Sequence, residues 1–599
     1  MVAYNIPTHN YEATMDCKQA ILSNDVYDYI TDFPIENLSN LEPVVCYQDI
    51  NNIYNIVHLN SSAIPNLQVN FFEYRSVPKL YGLMQENVLL PGDVPFDPNN
   101  LFAAGIIQMQ RSPLNLTGRG TVVCIIDTGI DYRNPVFLDE SGRSRILAIW
   151  DQTIQTGTPP EGFLYGSEYT REDINRALQS EEPYAVVPSR DENGHGTALA
   201  GVAAGSNVRG ELTYLGAAPE ADIVVVKLKE CKQYLREYYL IPDDVPAYQE
   251  NDIMQAVNYA DSFAIVSERP VIICIGLGTN MGDHNGSSAL SRYLEITALR
   301  QNRAVVVCGG NEGEAAHHFQ GDFRDSEEID IGRVDIGTRL AGRYRDVEVR
   351  VAEGSSGFFL EMWGSLPDAL NISVISPGGE AINPSRLGIP QSITYGFVYE
   401  RSTVTIDTTL VEPSSGEELI LVRLKDPTPG IWTFRVLADS SVGNGIFHMW
   451  LPISQFLNVP AYFLSPTPYV TLTEPAMASE VISISAYNAS NNSFYINSGR
   501  GFSVNGNIRP DMTAPGVDIS TVSGSRTGSS FATALTAGAV AQFMQWAVAE
   551  RNMEFVNTRA IKSNFIRGAV RSEDTIYPNR EWGYGKLNLE GIFDVMRGL

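Results

Sequence analysis

The 599-residue sequence predicts a three-layer α/β fold on a parallel sheet, preceded by a small α+β unit and interrupted by an antiparallel β insertion. Three observations carry this expectation. From Gly118 onward, wholly apolar runs of strand length (TVVCIID, ADIVVVKLK, PVIICIGLG, AVVVCGG) alternate with helix-like stretches (HGTALAGVAAG, NDIMQAVNYADSFA, SRYLEITALRQNR). A strand apolar on both faces must be covered on both faces, as in a parallel sheet held between helices. Between about 330 and 465 the rhythm changes to eight strand candidates, from DVEVRVA to GIFHMWLP, separated by EGSSG, SPGG, EPSSG and DPTPG. Short strands at this spacing predict a sandwich, and eight of them fit a jelly roll. The α/β pattern then resumes with EVISISAY and a long helix from near Ser530, so the sandwich is an insertion.

Taken in order, residues 1–95 read as the α+β unit, with segments such as AILSNDVYDYI, EPVVCY and YNIVHLN. The unit ends in an extended run over 76–85 and a Pro, Asp and Asn-rich linker, PGDVPFDPNN. Residues 96–325 form the first part of the α/β domain, 326–468 the sandwich and 469–599 the second part. A formal charge of −28 and a pI near 4.6 exclude nucleic acid as the main partner, because phosphate binding needs clustered cations. No run reaches the roughly 18 apolar residues of a membrane span. The N-terminus lacks a basic region followed by an apolar stretch, which predicts no secretion signal and an intracellular protein. Six cysteines (Cys17, Cys46, Cys124, Cys231, Cys274, Cys308) lie far apart without a C-x-x-C, which predicts buried free thiols. His317-His318 reads as a solvated pair with no third ligand, and Asp325, Glu327, Glu328 and Asp330 as a loop surface.

Four motifs carry chemistry. TVVCIIDTGID delivers Asp127 to the C-terminal end of an apolar strand, where open α/β sheets place their sites. There an Asp can accept a histidine Nδ1–H and fix its tautomer. Asn193-Gly-His195-Gly-Thr197 opens an all-small helix, and its glycines permit close backbone approach. Asn311 follows the strand AVVVCGG, so its amide can project into a cleft and donate to a developing oxyanion. Thr527-Gly-Ser-Ser530-Phe-Ala-Thr533 puts a serine at a helix start, in the positive end of the dipole. Read singly, each is a turn or a cap. Together they run Asp127, His195, Asn311, Ser530, an order that marks one class of serine-protease triad.

At these positions, over about 100–315 and 470–599, the sequence resembles the subtilase (S8) family: DTGID, NGHGTALAG, GGNEG and GSSFATALTAG, with TAPGVDI and WGYGKLNLEG in support. It departs from the common family pattern at Ser529, where many relatives have Thr, and at Ala534, where many have Pro. The resemblance implies a subtilisin-like fold and a serine endopeptidase with Asp127, His195 and Ser530 as triad and Asn311 in the oxyanion hole. It implies that Gly276, Leu277 and Gly278 pair with substrate and that Gly309 and Gly310 floor the S1 pocket. A leading unit, a split catalytic domain and the phrases LNLTGRGTVVCIIDTGIDYRNPVF and RILAIWDQTIQTG resemble the clostridial Csp germination proteases. That likeness implies a prodomain that chaperones folding, is cut near Met84–Gln85 and stays bound. It implies as substrate the zymogen of a spore-cortex lytic hydrolase, and a place in the spore coat or cortex region. No cofactor is expected; many relatives bind calcium, but no oxygen-rich loop marks a site. The rival readings are a general intracellular subtilisin and a germinant sensor that does not catalyse.

Overall fold

Side chains alternate across a strand, and this alternation divides the central sheet into two cores. In Val122–Asp127, Val123 and Ile125 face one helical layer while Val122, Cys124 and Ile126 face the other. The computed structural model describes residues 15–32, 44–63, 73–84, 96–206, 214–324, 328–335, 338–382, 391–439, 442–553 and 555–598. Seven parallel strands form the body of the main sheet, in the order Met512–Pro515, Ile482–Asn488, Arg303–Cys308, Val271–Ile275, Val122–Asp127, Asp222–Lys227, Ile146–Asp151. Two short antiparallel strands, Ser493–Phe494 and Ser167–Thr170, are added to it. Helices His195–Ala204, Ser529–Met544, Thr558–Gly568 and Leu589–Arg597 cover one face. Glu250–Ser267 and Ala289–Ala298 cover the other. The expected three layers are thus present. Among the described residues no helix is long and apolar enough to cross a membrane.

The inserted region is two antiparallel six-stranded sheets packed face to face. Phe358, Leu360 and Met362 of one meet Val349, Ile372 and Phe434 of the other. The eight expected strands undercount it. His318–Asp322 and the two-residue Ala381–Ile382 carry no apolar run to betray them, and Glu328–Asp335 occupies the place of an expected charged loop. Asp325 and Glu327 lie outside the described residues. The first sheet is buried on its outer face too, where Phe359, Trp363, Leu419, Leu421 and Trp450 pack with Tyr74, Leu80, Tyr238 and Tyr239.

Ahead of the α/β layers, helix Cys17–Leu22 and strands Val26–Thr31, Tyr54–Asn60 and Val44–Ile50 make a small three-stranded α+β unit. Two expectations are corrected here and at the seam. Cys17 and Cys46 are joined as a disulfide, their Cα atoms 5.5 Å apart; the helix folds back on the strand across 29 residues, a closure that no local motif announces. Cys124, Cys231, Cys274 and Cys308 are free and buried, and burial pushes the Cys124, Cys231 and Cys308 thiols up to about 12. His317 and His318 are buried, not solvated. His317 bonds Glu312 at 2.8 Å, and His318 lies 2.9 Å from His448 Nδ1 and stacks on Trp450.

Buried polar groups clamp the leading unit in place. Lys232 donates to Asp28 Oδ1 at 2.7 Å, as His58 Nδ1 meets the same oxygen at 2.7 Å, and Gln249 reaches Oδ2 at 2.9 Å. Burial opposes the Asp28 charge, but Lys232 and His58 outweigh it and hold the carboxyl below its usual range. Glu361 joins all three regions: it accepts from Tyr74 Oη at 2.6 Å, Gly282 N at 2.9 Å and Trp363 Nε1 at 3.1 Å. Burial pushes its pKa from 4.5 up to about 7. A folded-state pKa above the unfolded one means a stabilising contribution that is complete below 4.5 and lost as pH rises through 7. Glu361→Gln is therefore expected to flatten the fall in melting temperature over that interval. An unchanged slope in a melting series would contradict it.

Candidate active site

The chemistry gathers where the parallel strands end. Strand Val122–Asp127 delivers Asp127 fully buried, with Oδ1 accepting from Thr128 N at 2.8 Å and from His195 Nδ1 at 2.8 Å. His195 is the first residue of helix His195–Ala204, and its Nε2 lies 3.0 Å from Ser530 Oγ. Ser530 is the second residue of Ser529–Met544, whose N-cap is Gly528, so neither serine is the cap. The structure thus brings Asp127, His195 and Ser530 into one hydrogen-bonded line. Phe531 meets the His195 ring edge-on at 5.6 Å.

Small residues make this approach possible. A Cβ on Gly196 would lie 2.3 Å from Gly129 O, and one on Gly276 would lie 3.2 Å from His195 Cε1 and 3.3 Å from Asp127 Oδ2. A Cβ on Gly196 would thus press the start of the His195 helix off the 128–129 turn, and one on Gly276 would also meet Leu199 Cδ1 at 2.6 Å and crowd the His195–Asp127 pair. Asn311 Oδ1 accepts Ser529 N at 3.0 Å, which turns the amide so that Nδ2 is a buried donor without a protein partner. An unpaired buried N–H is costly unless something accepts from it, and a substrate oxyanion is such an acceptor.

Chain 80–84 lies in the groove beside this line. Leu83 and Gly82 pair antiparallel with Leu277 and Gly278, and Met84 N donates to Gly276 O at 3.2 Å. Leu80 and Tyr81 pair with Gln249 and Tyr248 on the other edge. Ser530 Oγ donates to Met84 O at 2.7 Å. Gln85 lies outside the described residues. Gly309 and Gly310 sit against 472–473: a Cβ on Gly309 would meet Leu472 at 2.8 Å, and one on Gly310, at φ +86°, would meet Thr473 at 2.6 Å.

Sequence reasoning missed Asp191. Its Oδ1 accepts from Thr128 Oγ1 and Gly194 N, both at 2.8 Å, and its Oδ2 from Thr197 N at 2.8 Å and Thr197 Oγ1 at 2.6 Å. Thr128 Oγ1 in turn accepts Gly196 N at 2.9 Å, so one carboxylate ties the Asp127 turn to the His195 helix. The signal lay in DENGHGT, an Asp four residues before the His and able to cap its helix. Cys17, Cys46 and His58 are the one group of three metal-ligand types held close together among the described residues. Their disulfide and the His58–Asp28 bond leave no set of donors that fits a metal ion.

A family model described as the subtilase family matches residues 118–350 and 440–585, more than half of the sequence. The chain belongs to the subtilase family. The break in the match, 351–439, falls inside the sandwich. The chain is 33% identical over 234 residues to the serine protease AprX of Bacillus subtilis and 27% over 217 residues to the subtilisin-like protease SBT3.6 of Arabidopsis thaliana. These matches take in 38% and 33% of this chain but only 41% and 26% of the two relatives. Its fold is similar to that of the CspB protease of Clostridium perfringens, with a TM-score of 0.72 and 27% identity, over 84% of this chain and 98% of the other. This likeness extends the match beyond the catalytic layers and makes the chain a Csp-like subtilase.

Asp191→Ala is expected to lower unfolding free energy by about 2 kcal/mol, since it removes four hydrogen bonds to a partly buried carboxylate. Denaturant unfolding measures this, and a loss under about 0.5 kcal/mol would show that Asp191 does not tie the two segments.

Proposed function

We propose that the protein is a serine endopeptidase that first cuts its own chain after Met84 and then acts on a protein substrate. The observation that carries this reading is the place of Ser530 Oγ, 3.0 Å from His195 Nε2 on one side and 2.7 Å from the Met84 carbonyl oxygen on the other. His195 takes the Ser530 proton as Oγ attacks the Met84 carbonyl carbon. Asp127 holds the imidazole in the tautomer with Nδ1–H and steadies the imidazolium. Asn311 Nδ2 and the backbone N–H of Ser530 donate to the oxyanion. His195 then protonates the leaving amine of Gln85, and water, deprotonated by the same ring, releases the acyl group. Every proton transfer falls to His195, so this route requires no cofactor.

In this reading residues 1–84 are a prodomain that remains docked after the cut. The buried clamps at Asp28 and Glu361 support retention, since each leaves polar groups unpaired if the unit departs. The resemblance of the sequence to the Csp germination proteases supports a dedicated processing role, and on that resemblance we assign as substrate the zymogen of a spore-cortex lytic hydrolase.

Expression of the wild type beside Ser530→Ala, read by intact mass, tests the enzyme reading. Two fragments joining at Met84–Gln85 are expected from the wild type and one full-length chain from the variant. Full-length chain from both would refute it. Asn311→Ala is expected to slow the cut about 10²–10³-fold, the size measured for the equivalent donor in subtilisin. A time course of fragment formation gives the rate, and a change below about tenfold would remove Asn311 from the oxyanion hole.

A further inference from the structure

The groove that holds residues 80–84 has a roof. Beyond the last strand of the first sandwich sheet, Ile446–Trp450, the chain passes over the groove and forms a short turn, Ser454–Phe456. The turn is pinned beside Asn311: Ser454 N donates to Glu312 Oε1 at 3.1 Å and Ser454 Oγ to Glu312 Oε2 at 3.1 Å. From it, Gln455 grips the backbone of Leu83 on the edge away from Leu277. Leu83 N donates to Gln455 Oε1 at 3.1 Å, and Gln455 Nε2 donates to Leu83 O. A side-chain amide thus does for one residue what a neighbouring strand does, past the point where Tyr248–Gln249 stops pairing.

The same turn closes the space over Gly82. A Cβ there would lie 2.5 Å from Ile453 Cδ1, 3.2 Å from Gln455 Oε1 and 3.3 Å from Phe456 Cε1. Ile453 and Phe456 are buried to within 1% and belong to the seam core with Leu80, Met84 and Leu472. Ile453 Cδ1 is a side-chain end, so a Cβ at 82 is admitted by shifting that methyl within the packed core, while Gln455 Oε1 is held by its bond to Leu83. The neighbouring positions are roomy: Tyr81, Leu83 and Met84 are large, yet all three are buried.

We propose that residues 453–456 turn the substrate groove into a covered slot that favours glycine at the third residue before the cut, with Gln455 binding the backbone of the second. The class of substrate is an extended segment of the form large–Gly–large–large, cut after the last. This deepens the reading of Met84–Gln85 as the bond cut and rests on it. The inserted sandwich then narrows specificity, because it carries the turn that roofs the slot.

Autoprocessing of full-length chains, followed by intact mass, tests the proposal. Gly82→Ala is expected to slow the cut about 10- to 100-fold. Ile453→Ala added to it, which removes the clashing Cδ1, is expected to restore most of the rate. Gln455→Ala alone is expected to slow the cut about tenfold. Processing of Gly82→Ala at the wild-type rate overturns the proposal, as does slowing that Ile453→Ala does not relieve. Relief by Ile453→Ala keeps the test independent of folding, since a second core truncation would not rescue a Gly82→Ala chain that merely failed to fold. A wild type that never processes itself refutes the enzyme reading, a different result from any of these.

Discussion

The structure depends on how closely two helices of small residues can lie over the ends of the parallel strands. His195–Ala204 and Ser529–Met544 are buried along their whole lengths. A Cβ on Gly538 would fall 2.5 Å from Ala203 O and 2.4 Å from Ala217 Cβ, and one on Gly201 would fall 2.7 Å from Val522. Without side chains at these points, the helix starts converge until His195 Nε2 stands 3.0 Å from Ser530 Oγ. The line from Asp127 through His195 and Ser530 to the Met84 carbonyl follows from that packing together with the strand that delivers Asp127.

Around this centre, buried polar groups tie regions that hydrophobic packing alone would leave free to slide. Asp28, Lys232, His58 and Gln249 form one cluster, and Lys79 and Glu250 another, with Lys79 N donating to Glu250 Oε2 at 3.0 Å. Glu361 ties the leading unit, the loop at Gly282 and the sandwich through a single carboxylate. Buried ionic groups add little net stability against apolar replacements, but they penalise every arrangement that leaves them unpaired. Here they set the register of the leading unit and so the placing of residues 80–84 in the groove.

Much of this was legible in the residues. The apolar strands, the small-residue helices and the order Asp127, His195, Asn311, Ser530 are local patterns, and each falls where its period or spacing predicts. The pairing of Gly276, Leu277 and Gly278 with an extended segment came from the family resemblance alone, since no local pattern of theirs marks it. What escaped was set by distant parts of the chain. His317 and His318 look solvated because adjacent histidines point different ways, yet His448 and Trp450 come from about 130 residues away to stack on His318, and Glu312 bonds His317. Cys17 meets Cys46 only once the small sheet has closed. Asp191 looks like one more charged loop residue until Thr128 and Thr197 converge on it.

Local patterns account for the layers, the interruption and the residues proposed for acyl transfer, because side-chain period and motif spacing are properties of short segments. Only the tertiary structure decided which cysteines pair, which charges are buried and what roofs the groove. Gln455 and Ile453 carry no motif, and their role exists because the sandwich folds back and lays them over Leu83 and Gly82. Such contacts join residues 372 positions apart, and no local pattern encodes a distance of that kind.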